Sequence, residues 1–347
     1  MNNKRLYELD GLRGIAALIV VFYHYFYHYN HVYGHTFSVP EWISAGYYGV
    51  HLFFMISGFV IFWTLSRSKR PMDFVWSRFS RLYPVFWAAV TLTFLTVLIF
   101  GLPGREVRTL HFLANLSMIH QYINVKHVDS VYWTLTLELA FYFWMLMLFT
   151  FDQLKNIEKW LILWVTTSIV FTYFKLGSDI DHRIIKFFLL DYVQFFSAGV
   201  CFFKIWESKQ NQLTYFVLAL TIFSLFVHYT NETAILLGLY FILFFLAISG
   251  KFKLLSVRPL VFLGTISYSL YLIHQNIGYI IIRSFYNQDY SPYFGILAAI
   301  LFSFLLATFL TFFVEKPTLK YFRNYYKHNA TLQKIANKLT LYKNHGK

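Results

Sequence analysis

Charge is what this sequence has least of. Only 13% of its 347 residues are Asp, Glu, Lys or Arg, against roughly 25% in a soluble globular domain. With 58% hydrophobic and 22% aromatic residues, a water-soluble chain of this length could not hide its apolar surface, so the solvent it is built for is lipid. Cysteine is nearly absent too. Cys201 stands alone, which excludes an intramolecular disulfide and leaves the redox compartment unread. There is no internal repeat and no stretch polar enough for a soluble domain. The first apolar run lacks a small-x-small cleavage site and carries Arg13, His24 and His28, which sets it apart from a cleavable signal peptide.

Negative charge is scarcer than positive: 16 Asp and Glu against 30 Lys and Arg, a net +14. Such a balance could serve nucleic acid, but that would need a continuous basic face. Here the cations fall between apolar runs and in a tail beginning at Lys316, as membrane anchors do. No nucleic-acid partner is expected.

A hydrocarbon core of roughly 30 Å needs about 20 mostly apolar residues per helix. The pattern predicts an all-α, polytopic transmembrane helix bundle of about ten spans. They lie near Leu9–Tyr29, Tyr47–Ser66, Leu82–Phe100, Val131–Phe151, Trp160–Lys175, Ile185–Ile205, Leu213–Tyr229, Ala234–Ser249, Leu260–Arg283 and Tyr293–Val314. Thr109–Tyr122 is apolar but too short to span, which suggests a re-entrant or surface helix. Counted over alternate loops, 22 of the 30 cations fall on one side and 7 on the other, so both termini are expected in the cytoplasm. Residues 1–317 read as one membrane domain. Residues 318–347 read as a basic cytoplasmic tail, a short amphipathic helix on the anionic inner leaflet.

Ionisable groups inside spans are costly and mark function or pairing. Arg13 and His24 are 11 residues apart, within about 20° of one helical face, with His24 about 16 Å deeper. Asp10, three residues before Arg13, can pair with it. Imidazole suits a general base near neutral pH and arginine suits a phosphate or planar anion. A snorkelling Arg13 and a structural hydrogen bond from His24 explain the same residues. His28, His31 and His35 continue the spacing, yet no carboxylate or cysteine accompanies them, and no metal site is expected. Arg78 and Arg81 in RFSRLYP share a face at a helix mouth and could grip donor phosphates, or serve as inside anchors. Glu138 in VYWTLTLELAFYF needs a partner, such as Arg13 or a histidine of another helix. Trp133 reads as a belt residue or a sugar-stacking platform. Ser57 reads as an acyl carrier or a small packing residue. His274 in SYSLYLIHQN and Glu315 in EKP are further buried candidates.

In order along the chain, ELDGLRGIAALIVVFYH, YGVHLFFMISGF, RFSRLYP, VYWTLTLELAFYF, SYSLYLIH and FVEKP resemble the acyltransferase-3 family of integral membrane acyltransferases. The likeness covers residues 8 to 317. It implies a transferase that takes an acyl group, often acetyl, from cytoplasmic acyl-CoA. The acceptor it implies is a hydroxyl of a cell-surface polysaccharide or lipid-linked glycan, at a bacterial inner membrane. It implies acetyl-CoA as co-substrate rather than a bound cofactor. By resemblance, His24 is the catalytic base and Arg13 its partner on the same helix. Arg78 and Arg81 are donor-side residues and Glu138 a motif residue of the active centre. From the residues themselves, Asp10, Trp133, Ser57 and His274 read as acceptor-side or supporting groups. One motif departs from the family: His51 stands where an acidic residue is common. Larger relatives append an extracytoplasmic hydrolase-like domain, so this membrane domain is expected to act alone or hand its product to a separate partner. The rival reading from buried Arg, His and Glu alone is a proton-coupled secondary transporter of a sugar or anion. Against it, no repeated halves with broken helices are visible.

Overall fold

The computed structural model describes residues 6–178, 180–288 and 290–344, with side chains to residue 338. Among them the chain is helical throughout, without a strand. The long helices are α1 (Tyr7–Tyr33), α2 (Glu41–Arg67), α3 (Pro71–Phe100) and α4 (Ser130–Thr150). Then come α5 (Ile157–Tyr173), α6 (Val193–Trp206), α7 (Gln212–His228), α8 (Asn231–Ile248), α9 (Arg258–Tyr286), α10 (Pro292–His328) and α11 (Ala330–Asn344). Six of these, α1 to α4, α8 and α10, are long and apolar enough to cross a membrane, the character of a multi-pass membrane protein. α6 and α7 are apolar but shorter. α9 has the length, at 29 residues, but it buries the polar run His274, Gln275 and Asn276.

Small residues let the central helices touch. α1 lies against α9, and a Cβ on Gly264 would overlap the carbonyl oxygen of Asp10. α2 lies against α6 in the same way, where a Cβ on Gly58 would overlap the carbonyl of Phe196. In lipid, where apolar burial gives no drive for helix association, such close backbone approach supplies the packing. Gly58→Val is therefore expected to force α2 from α6 and to lower stability by at least about 1–3 kcal/mol. The readout is the thermal midpoint of the detergent-solubilised protein, and an unchanged midpoint would disprove this helix contact.

One expectation is corrected here and two gain detail. The apolar segment Ile185–Ile205 is not one helix. A short helix, His182–Phe187, stops before Leu189, which has φ 56°, and α6 starts only at Val193. The broken turn is held from its neighbours, since the Leu190 carbonyl accepts from Ser168 of α5 and lies 3.3 Å from His228 Nε2 of α7. Next, the segment after α3 runs back along it. Phe112 stacks on Phe94, Trp87 donates to the Leu116 carbonyl and Tyr83 to that of Ser117. Buried Asn115 closes it by donating to the carbonyls of His111 and Lys126 and accepting from the Val128 N–H.

The tail gains detail as well. It is helical, but one face packs on the protein rather than on lipid alone. Trp76 of α3 donates to the Phe322 carbonyl at 2.8 Å and stacks on Tyr326. Arg70 reaches Gln333 and Asn337 of α11 at 2.9 and 2.8 Å. The starts of α1, α3 and α9, the end of α2 and the tail helices thus gather at one face, called here the terminal face.

Candidate active site

Two departures from the regular α-helix carry functional side chains. Tyr23–His28 of α1 and Leu310–Glu315 of α10 are π-helical turns, a form that appears mostly at functional sites. The first presents His24 and the second presents Glu315.

Three cavities lie in file through the bundle. The mouth, about 360 Å³, opens at the terminal face between α2, α3 and α10. It shares Val60 and Arg78 with an inner chamber of about 120 Å³, lined by Arg13, Ser57, Arg81, Glu138, Tyr142 and Tyr268 among others. The inner chamber shares Val50 and Tyr271 with an outer chamber of about 200 Å³ that holds Tyr23, His24, His28, Tyr47, Ser130 and Trp133. Cavities of this size and polarity hold water and extended ligands.

The inner chamber gathers charge. Arg81 pairs with Glu315 at 2.5 Å, and Ser269 donates to the other oxygen of that carboxylate at 3.3 Å. Glu138 of α4 is bonded by neither of the partners expected for it. Its Oε1 accepts from the hydroxyls of Ser57 at 2.6 Å and Tyr142 at 2.5 Å, two O–H dipoles that stabilise a buried carboxylate as a counter-ion would. Arg13 enters from α1 in the field of Asp10, Glu138 and Glu315 and against the like charge of Arg81. Ser57 is thereby neither an idle packing residue nor an isolated hydroxyl.

The outer chamber centres on His24. Its Nδ1 lies 2.9 Å from the Val20 carbonyl and 3.1 Å from Nε2 of His274. His274, fully buried, has its Nδ1 at 3.1 and 2.9 Å from the carbonyls of Leu270 and Tyr271. Carbonyls only accept, so His274 carries its proton on Nδ1 and offers a lone pair at Nε2. His24 Nδ1, between that lone pair and a carbonyl, must be the donor. The neutral His24 ring therefore turns an unprotonated Nε2 outward, the tautomer a general base needs. His28 stands beside it, its Nδ1 at 2.6 Å from the Tyr279 hydroxyl.

Trp133 lines this chamber, stacked with Tyr47 at 6.5 Å between ring centres. The floor is polar. Ser130 Oγ donates to Gln275 at 2.7 Å and accepts from Arg105 at 3.0 Å. Asp129, just outside α4 and fully buried, accepts backbone N–H groups of Val131 and Asn276. Burial nonetheless pushes its carboxyl up to about 6.

Of the residues singled out from sequence, Arg13, Ser57, Arg78, Arg81 and Glu138 meet around the inner chamber, and His24, His274 and Trp133 at the outer one. Asp10 lies outside the chambers' linings but within Arg13's field. His51 is buried away from both, bonded to the Tyr229 hydroxyl at 3.1 Å and the Tyr48 carbonyl at 3.2 Å. Sequence reasoning missed Tyr142, Tyr271 and Gln275. The signal for Gln275 was visible, since three polar residues in succession on an apolar helix cannot all face lipid. Among the described residues no group of three His, Cys, Asp or Glu is gathered as metal ligands.

A family model described as an acyltransferase domain matches residues 6–315. The chain is 27% identical over 364 residues to O-acetyltransferase OatA of Staphylococcus aureus (strain NCTC 8325 / PS 47), covering 90% of this chain and 57% of that protein. It is 26% identical over 161 residues to peptidoglycan O-acetyltransferase OatA of Listeria monocytogenes, covering 41% of this chain and 24% of the relative. A putative acetyltransferase of Acidianus two-tailed virus, ORF330, is 23% identical over 76% of this chain and 80% of its own length. The chain thus spans little more than half the length of the Staphylococcus relative. No solved structure matches.

Proposed function

The chain belongs to the acyltransferase-3 family, and from that premise we propose that it is a membrane-bound O-acetyltransferase acting from acetyl-CoA onto a hydroxyl of a cell-surface glycan or its lipid-linked precursor. The observation that carries this reading is the file of cavities, with arginines at one end and a correctly tautomerised imidazole at the other. On this reading the protein spans a bacterial plasma membrane about ten times with the terminal face in the cytoplasm, where acyl-CoA is found. The donor enters at the mouth, and its pantetheine arm passes the inner chamber. The acceptor enters the outer chamber, where Trp133 and Tyr47 offer ring faces to a sugar.

The chemistry follows from the hydrogen bonds. His24 Nε2 takes the acceptor's hydroxyl proton as its oxygen attacks the thioester carbonyl. The C–S bond then breaks, and the sulfur leaves as the thiol after receiving that proton. An ester and free CoA are the products. During attack the His24 imidazolium shares its Nδ1 proton with His274, whose own Nδ1–H stays on two carbonyls. His274 is thus a positioning residue that holds the ring and spreads its charge. The guanidinium of Arg13, in the field of Glu138 and Glu315, faces the inner chamber through which the pantetheine arm passes.

The test is made in vesicles holding the purified protein and a glycan on the side opposite the terminal face. Acetyl-CoA labelled in the acetyl group is supplied at the terminal face. Base-labile label on the glycan is the expected result. Glycan carried across without label would instead identify a transporter.

A further inference from the structure

The mouth is more cationic than its family motif explains. Arg67 from α2, Arg78 from α3 and Arg323 from α10 line one cavity. The single carboxylate among the lining residues, Asp73, is already taken, by Arg70 at 2.7 Å and the Tyr326 hydroxyl at 2.7 Å. Arg81, the other arginine of RFSRLYP, is committed to Glu315. Arg78 reaches the hydroxyls of Thr64 at 3.4 Å and Ser77 at 3.3 Å and lies over the Tyr142 ring. Its Nε–H and the indole N–H of Trp63 are buried and meet no acceptor among the described residues. The Arg67 guanidinium lies over the Trp63 ring, 4.7 Å from its centre. Arg323 is exposed toward the mouth and close enough to Arg78 and Arg81 for the three charges to repel. Arg67, Arg78 and Arg323 around one cavity match an anion with several oxygens, because each guanidinium presents a planar fork of donors to phosphate.

We infer that Arg67, Arg78 and Arg323 form a phosphate site for the nucleotide end of the donor, and that the tail helix completes it. Arg323 lies beyond residues 6–315, the part matched to the family, so the site joins a family residue, Arg78, to one outside the matched segment. The docked tail has a task on this account. Trp76 and Arg70, by gripping Phe322, Tyr326, Gln333 and Asn337, hold Arg323 over the mouth. The inference rests on the acyl-transfer reading for the identity of the ligand, a nucleotide thioester. Phosphate of an anionic lipid headgroup has the same chemistry, and the experiment separates the two.

The probe is CoA itself, binding to the full chain in discs of zwitterionic lipid. Arg323→Ala is expected to weaken CoA binding about tenfold, which is ~1.4 kcal/mol, and to leave competition by phosphate-free pantetheine unchanged. Arg323→Lys is expected to fall between, keeping charge without the fork. Because the residue is exposed, the fold survives the change, and an unaltered thermal midpoint checks this. Equal CoA affinity in wild type and Arg323→Ala would overturn the inference. So would a difference that appears only as loss of inhibition by anionic lipid, which would assign the site to a headgroup. CoA binding that depends on Arg323 without any acetyl transfer would keep the site and refute the proposed reaction instead.

Discussion

His24→Ala is expected to lower acetyl transfer by about 10²- to 10⁴-fold, the contribution of a positioned general base, with the protein still present in the membrane. The ring is held by two acceptors, the Val20 carbonyl and His274 Nε2, and neither closes a contact on which the bundle depends. Loss of base-labile esters from the host's surface glycan, at matched protein level, is the measurement. His274→Ala separates positioning from chemistry. Without the Nε2 lone pair, His24 loses an acceptor for its Nδ1 proton and a share in its positive charge. The rate is expected to fall less than in His24→Ala. His28, Tyr23 and Arg105 also face this ring and remain in both variants, so the difference in rate belongs to His274. A full deletion that removes the esters while His24→Ala keeps them would leave the function and discard the base.

The second large effect is on stability. Glu315→Gln removes the partner of Arg81 from a site where the carboxylate is only 3% exposed and the guanidinium 28%. Breaking one side of a buried pair costs about 3–5 kcal/mol, because the surviving charge stays desolvated. Here the penalty is compounded, since Arg13 and Arg78 share the same chamber. The solubilised protein is expected to lose its cooperative thermal transition or to show it at much lower temperature. Exchanging both partners, Arg81→Met with Glu315→Leu, should recover most of the loss, as apolar replacement of a buried pair does. A single variant as stable as the wild type would mean that the pair does not form.

The sequence exposed a good deal of this. Arg13 and His24 fall on one stripe because an 11-residue interval nearly closes whole turns, and the structure brings both to the same file of cavities. What an interval cannot reveal is the π turn that begins at Tyr23, because a wider turn re-aims side chains without changing their spacing in sequence. Glu138 was legible as a buried carboxylate, but its partners were not. Whether a guanidinium or two hydroxyls reach it depends on how α2 sits against α4, and Gly58 sets α2 only through its contact with α6. The break before α6 was hidden for a related reason. Ile185–Ile205 is apolar enough for one helix, and the groups that receive its loose carbonyl come from α5 and α7. The tail showed its two faces in the sequence, yet nothing there identified Trp76 as the surface it covers.

The wall that Val50 and Tyr271 form between the two chambers has an electrical meaning. On the proposed chemistry the acetyl group passes that wall outward as an acyl-cation equivalent, leaving its bonding electron pair on sulfur. The hydroxyl proton passes inward and ends on the thiol that departs through the mouth. One positive equivalent leaves as one enters, so a turnover moves no net charge across the membrane. The cell's resting voltage therefore neither draws the reaction toward ester nor opposes it, and the driving force is the thioester's own.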